Sequence, residues 1–192
     1  MKYGIQAALL IVAVILAYFI YDGIQNKIEF RNMAEARREL VQERLLKVVD
    51  AQKQFKTEKG RFAANFPELI NFIETDSLTI IKAIGNVPDS LTEAEAVERG
   101  IVTRDTSLIP ARSIFPISFN VDSIKYVPFS GGSEFKMKAD AIEKNKVNVN
   151  VFEAKTTLRE VYKGLKTKNE AVKLDDEIKV GSLSEPITTG NW

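Results

Sequence analysis

The chain has 192 residues, with 27 lysines and arginines against 26 aspartates and glutamates, and neither histidine nor cysteine. A formal net charge of +1 supplies no field to gather a polyanion, so a nucleic-acid partner is disfavoured. The missing imidazole and thiol remove the commonest general base, the thiolate nucleophile and the usual transition-metal ligands. No metal and no cofactor is expected.

Residues 1–24, MKYGIQAALLIVAVILAYFIYDGI, read as a transmembrane anchor. From Tyr3 to Tyr21 the only strongly polar side chain is Gln6, and a helix crosses the hydrocarbon core with roughly 20 such residues. A cleaved signal peptide competes for the segment. It fits poorly, because its basic region would be Lys2 alone, the apolar run exceeds the ~7 to 15 residues of such peptides, and no small-x-small site precedes Asp22. Tyr3, Tyr18 and Tyr21 stand where amphipathic rings favour the headgroup level. Gly4, Ala8, Ala13 and Ala17 are small enough to let a second membrane helix approach closely.

Orientation is contested by the charges that follow. Lys27, Arg31, Arg37 and Arg38 would hold the domain in the cytoplasm by the positive-inside rule. They alternate with Asp22, Glu29, Glu35 and Glu39 on a helix leaving the bilayer. The expectation is a single-pass anchor in the inner membrane carrying an extracytoplasmic, periplasmic domain.

Residues 25–58 contain no glycine or proline and favour helix. Val41, Leu45, Val48, Gln52 and Phe55 repeat at one-face spacing, widened by Val49. Val41, Leu45, Val48 and Phe55 are the expected packing face, and the more polar stretch from Asn26 to Glu39 is expected to be a stalk that lifts the domain from the bilayer. Gly60 stops the helix. Asn65 then caps a short second helix with Pro67 in its first turn and Phe66, Leu69, Ile70 and Ile73 on one face.

This layout resembles the N-terminal region of type IV pilins and pseudopilins, in which a membrane helix runs into an amphipathic one, an Ala-Gln plus aromatic stretch, a Gly-Arg-aromatic turn and a short helix. The matching residues are Ala51, Gln52, Phe55, Gly60, Arg61, Phe62, Pro67 and Leu69, and the resemblance covers roughly the first 75 residues. It implies an anchored helix-plus-domain layout and a pilus or secretion role. Two features depart from the family pattern. Gly4, at the place of the processing glycine, follows a single basic residue, and Leu9 stands where the family carries a glutamate.

Beyond the second helix the pattern is α+β, within a domain spanning residues 59–165. SLTIIKAI (77–84) and IVTRDTSLI (101–109) read as strands, with turns at Gly85-Asn86 and Pro88-Asp89-Ser90 between them. Thr92 and Glu95 form a capping box, and the carboxylates Glu93, Glu95 and Glu98 fit a solvated face better than an acid-base pair. Pro110 to Pro116 is a connector, and FNVDSIKYVPF opens a β-rich stretch. Ser130-Gly131-Gly132-Ser133 reads as a hairpin turn rather than a phosphate cradle, lacking a following helix start and a suitably spaced lysine. Phe135, Met137, Ala139 and Ala141 alternate with polar residues, as do Val147, Val149 and Val151, so two half-buried antiparallel strands are expected after a break near Glu143 to Asn145. Thr157 and Glu160 would box a further helix with Leu158, Val161, Tyr162 and Leu165 inward. Residues 166–192 read as a charged, mostly irregular tail whose Trp192 is a candidate partner contact.

A Ser/Lys dyad is the one nucleophilic arrangement that needs no histidine, and no pair stands out. The expectation is a non-enzyme: a single-pass structural or assembly subunit of an envelope-associated multiprotein complex of pilus, secretion or motility type. Its partners would be the lipid bilayer and other membrane or envelope proteins, further copies of itself among them. The alternative is a membrane-tethered sensor or ligand-binding domain, which requires a concave pocket with convergent polar groups.

Overall fold

The computed structural model describes residues 2–84, 92, 95, 99, 103–144, 146–165 and 172–192. Its axis is α1, a single unbroken helix of 58 residues from Lys2 to Lys59. An i→i−4 ladder continues as long as no residue removes a donor or relaxes φ, and only Gly4 and Gly23 interrupt the run, which contains no proline. Gly60 ends it with φ 75° and its N–H on the Lys56 carbonyl at 2.8 Å, a left-handed cap conformation that costs glycine nothing.

A rigid turn follows, built on a buried glutamine. Gln52 is fully buried and meets the Ala63 backbone twice: its Nε2 donates to the Ala63 carbonyl at 3.0 Å, and its Oε1 accepts from the Ala63 N–H at 2.8 Å. The side-chain amide completes the backbone pairing that residue 63 would otherwise lack. Helix α2, Phe66–Thr75, then folds back, capped by Asn65 Oδ1 accepting from the Glu68 N–H at 3.0 Å. Phe66, Leu69, Ile70, Phe72 and Ile73 are buried, and the Phe72 ring meets Phe55 edge-on at 5.0 Å between centroids.

Strands β1 (Ser77–Ile84) and β2 (Thr103–Pro110) form an antiparallel pair. Of the segment between them, Thr92, Glu95 and Arg99 are described. Their capping box is present, with the Thr92 N–H and Oγ1 on Glu95 Oε2 at 2.9 and 2.8 Å. The turns expected at residues 85–90, and Glu93 and Glu98, lie outside the described residues.

Strands β3 (Lys136–Lys144), β4 (Val147–Thr157) and β5 (Glu177–Gly181) make an antiparallel sheet in the order β3-β4-β5. One core joins α1, α2 and this sheet, with Phe62 against Phe152 at 4.7 Å.

Four expectations are corrected. The run from Phe119 to Phe129 is not strand: Val121–Lys125 is a 3-10 turn, because Asn120 Oδ1 takes the Asp122 N–H at 2.9 Å and Pro128 has no donor for a ladder. Only Tyr126 and Glu134 pair across it, closing the Ser130–Ser133 hairpin turn as expected. The Thr157/Glu160 box does not form. Helix α3 is the single turn Leu158–Val161, Thr157 makes no side-chain cap, and Glu160 accepts instead from Ser133 Oγ at 2.5 Å. The tail supplies β5, with Ile178 and Val180 buried. Finally, the stalk is not free. Phe30 and Ala34 are already buried, and Phe30 meets Tyr162 edge-on at 5.9 Å.

Candidate functional site

Helix α1 presents three kinds of surface, and each follows from its sequence. Between Tyr3 and Ile24 all fourteen large hydrophobic residues are 48 % to 87 % exposed. No other described residue covers them, and a contiguous apolar surface of this extent is far beyond what soluble monomers carry. It is the one helix among the described residues long and apolar enough to cross a membrane. The helical turn of about 100° per residue puts Gly4 and Ala13 about 180° apart. The small positions therefore form two pairs on opposite sides, Gly4 with Ala8 and Ala13 with Ala17, rather than one track; the Ala8 side chain is outside the described set.

The second surface is the packing face. Val41, Leu45 and Val48 are fully buried and Phe55 nearly so, as their spacing predicts. The face starts at Phe30, six residues after Ile24, which is about 9 Å of helix. The domain therefore grips the helix almost from where its apolar part ends.

The third surface is a pair of flanks beside that face. On one, cations lie over rings: Arg37 over Phe129 at 4.9 Å, Arg44 over Phe119 at 5.5 Å and Lys47 over Phe119 at 5.1 Å. Arg37 donates to the Val161 and Lys163 carbonyls at 3.3 and 2.8 Å, and Arg44 to the Ser123 carbonyl. Burial pushes the Arg44 guanidinium below its ordinary pKa, and the neighbouring Glu43 opposes this; it remains charged, as arginine does in proteins. Phe129 is 54 % exposed and holds a left-handed φ of 64°, a conformation costing a non-glycine residue about 1 kcal/mol or more.

Above Phe119 the chain forms a knob. Arg112 donates to the carbonyls of Phe115, Pro116, Ile117 and Phe119 at 3.3, 3.2, 3.2 and 2.5 Å. The backbone is thereby wrapped around one guanidinium, and Ile117 is left 99 % exposed at its tip. Neither Arg112 nor Ile117 is visible as special in the sequence. Pro110 and Pro116 bracket a connector, but only the closed loop shows what the arginine holds.

The other flank carries two grooves. One, of about 480 Å³, is floored by Phe30, Ala34 and Tyr162 and walled by Arg31, Glu35 and Arg38. Burial raises the Tyr162 pKa, with Arg38 pulling the other way. The second, of about 550 Å³, contains Trp192. The indole lies flat on Gly190, so close that an added Cβ would sit 2.4 Å from it, and is 45 % exposed. Its segment is tied to β5 by Asn191, whose N–H and Nδ2 donate to the Lys179 and Glu177 carbonyls at 3.2 and 2.8 Å. Among the described residues no three His, Cys, Asp or Glu side chains gather as a metal site.

No family model, curated protein or solved structure matches the chain.

Proposed function

We propose that the protein is a single-pass membrane-anchored structural or assembly subunit of an envelope-associated multiprotein complex, with its domain on the extracytoplasmic side. The observation that carries this reading is the continuity of α1: one helix is bare and apolar along its first half and is the central core element of the domain along its second. Such an element transmits position. With no loop or glycine hinge between Ile24 and Phe30, the domain's height and rotation are fixed relative to whatever surrounds the apolar half. The pilin-like order of helix, Gln52, Gly60-Arg61-Phe62 turn and α2 supports a pilus, secretion or motility setting. The exposed knob, flank and Trp192 groove supply surfaces for neighbours.

The test is purification of the tagged full chain from native membranes in mild detergent, with particle mass and co-purifying chains recorded. A stoichiometric assembly is the expected result. A monomer without partners would overturn the assembly reading, and recovery of the chain in the soluble fraction would overturn the anchor.

A further inference from the structure

We infer that the outer edge of β2 receives an extended segment of a different protein as a third strand, uncharged along its length and apolar where it lies opposite Leu108. The inference rests on the assembly reading above and names the way a neighbour is held. Strands β1 and β2 form a sheet of their own, with no third strand among the described residues. An isolated two-stranded hairpin is at best marginally stable in water, and a third strand is the usual remedy.

The direction of the free backbone groups follows from one hydrogen bond. The Thr79 N–H donates to Glu58 Oε1 at 2.7 Å rather than to β2. Thr79 and its partner Leu108 are therefore a non-hydrogen-bonded pair, and the alternation of an antiparallel ladder turns the N–H and C=O of Leu108, Thr106 and Arg104 away from β1. Pro110, next in this outward series, has no N–H, and its carbonyl accepts from Ser113 Oγ at 2.7 Å. Among the described residues, none bonds the outward N–H or C=O of Arg104, Thr106 or Leu108.

The other sheet edges are guarded, as exposed edges in native proteins usually are. On β1, Glu58 holds the Thr79 N–H and, through Oε2, its hydroxyl at 3.2 Å. On β3, Asp140 Oδ1 takes the Ala141 N–H at 2.8 Å, and Lys136, Lys138, Glu143 and Lys144 add charge along the strand. The edge of β5 is covered by the chain's own C-terminal segment: Val180 bridges to Gly190, and the Lys179 N–H donates to Asn191 Oδ1 at 3.0 Å. Strand β2 carries no charge from Thr106 to Pro110, and Leu108 is 70 % exposed on the face it shares with Thr79. Donors and acceptors presented at alternate residues match an extended backbone, and the side chains beside them set which segment fits. Here Leu108 offers apolar contact to the residue opposite it, and the neutral stretch around it gives a charged segment nothing to pair with.

The test titrates the full chain in detergent with a fluorescein-labelled peptide of alternating threonine and valine, N-methylated at every second residue. Such a peptide keeps one donating edge and cannot pair with itself on the other. Saturable binding, read by anisotropy, is expected. Thr106→Pro removes an outward N–H that β1 does not use, so it should weaken binding about tenfold or more with melting unchanged. Thr106→Val, which keeps the N–H, should bind as the unsubstituted chain does. Leu108→Lys leaves the main chain alone and should weaken binding several-fold. Glu143→Pro, the matching change on the β3 edge two residues from Ala141, should leave binding unaltered. Absence of saturable binding, or an equal loss with Glu143→Pro, would overturn the inference. A dimer of the peptide-free chain that Thr106→Pro dissolves would also overturn it, by giving the edge to a second copy. Where a stoichiometric assembly is still recovered from native membranes, these outcomes leave the assembly reading standing; a partnerless monomer there would remove both.

Discussion

Between Tyr3 and Ile24 helix α1 is apolar on every side, and between Phe30 and Phe55 it is apolar on one. The backbone is the same throughout, so the contrast isolates what the surroundings require. A helix hydrophobic all round must be enclosed by something apolar, and the described residues offer its first half no protein cover. The second half alternates faces because it has a domain on one side and water on the other. The stretch that separates the two regimes, Gln25 to Glu29, is polar except for Ile28 and makes little more than one turn.

The contrast is broken most severely at Val48. A carboxylate there would be buried without a partner, and Val48→Asp is expected to remove the cooperative melting transition of the domain. Leu16→Arg should do the reverse, leaving melting unchanged while membrane retention falls, because no described domain residue covers that side chain. Circular dichroism melts and vesicle flotation on the same two variants separate the regimes.

Gly181 offers a strong effect away from the helix. It ends β5 at φ 72°, and an added Cβ would come to 2.2 Å from the Phe152 carbonyl oxygen. Backbone cannot yield as a side-chain end can, so Gly181→Ala should cost about 3 kcal/mol by urea denaturation. Gln52→Ala is expected to cost about 2 kcal/mol by leaving the Ala63 N–H and carbonyl buried and unpaired, with Gln52→Glu also destabilising because it replaces the donor.

The smallest effect is electrostatic. Arg61 beside Glu68, at 2.5 Å, holds that carboxyl below its usual pKa, and the Ala64 N–H adds to the shift. A depressed folded value means the contribution is complete above about pH 4.3, the ordinary glutamate value, and is lost as the pH falls through the lower folded one. Glu68→Gln should flatten the stability profile slightly in that acid window and leave its slope above pH 6 unchanged.

What the sequence made legible is whatever local periodicity and capping decide. Val41, Leu45, Val48 and Phe55, and the Asn65 cap with Pro67, are signals whose partners lie within a turn or two, and they are where expected. Glu160 was misread because its hydroxyl partner, Ser133, is 27 residues away and outcompetes Thr157 at no cost to the backbone. Strand β5 carried a period-two signal in Ile178 and Val180, but it spans five residues among charges and becomes a strand only on the edge of β4. Asn120 and Pro128 made Val121–Lys125 a turn despite its β-branched content. The Ile117 knob was illegible for a different reason: its meaning lies in four carbonyls converging on Arg112, a tertiary fact with no linear trace.

The proposed division of α1, lipid-facing to Ile24 and domain core from Phe30, can be measured residue by residue. Single cysteines from Leu9 to Phe55 in the cysteine-free chain, reconstituted in vesicles, would be challenged with a water-soluble maleimide and a bilayer-confined quencher. The prediction is uniform protection from the maleimide and uniform quenching from Leu9 to Ile20, then helical-period protection without quenching from Phe30 onward. Maleimide reaching Leu10 or Leu16, or periodic protection continuing below Ile24, would place a protein surface where the account places lipid.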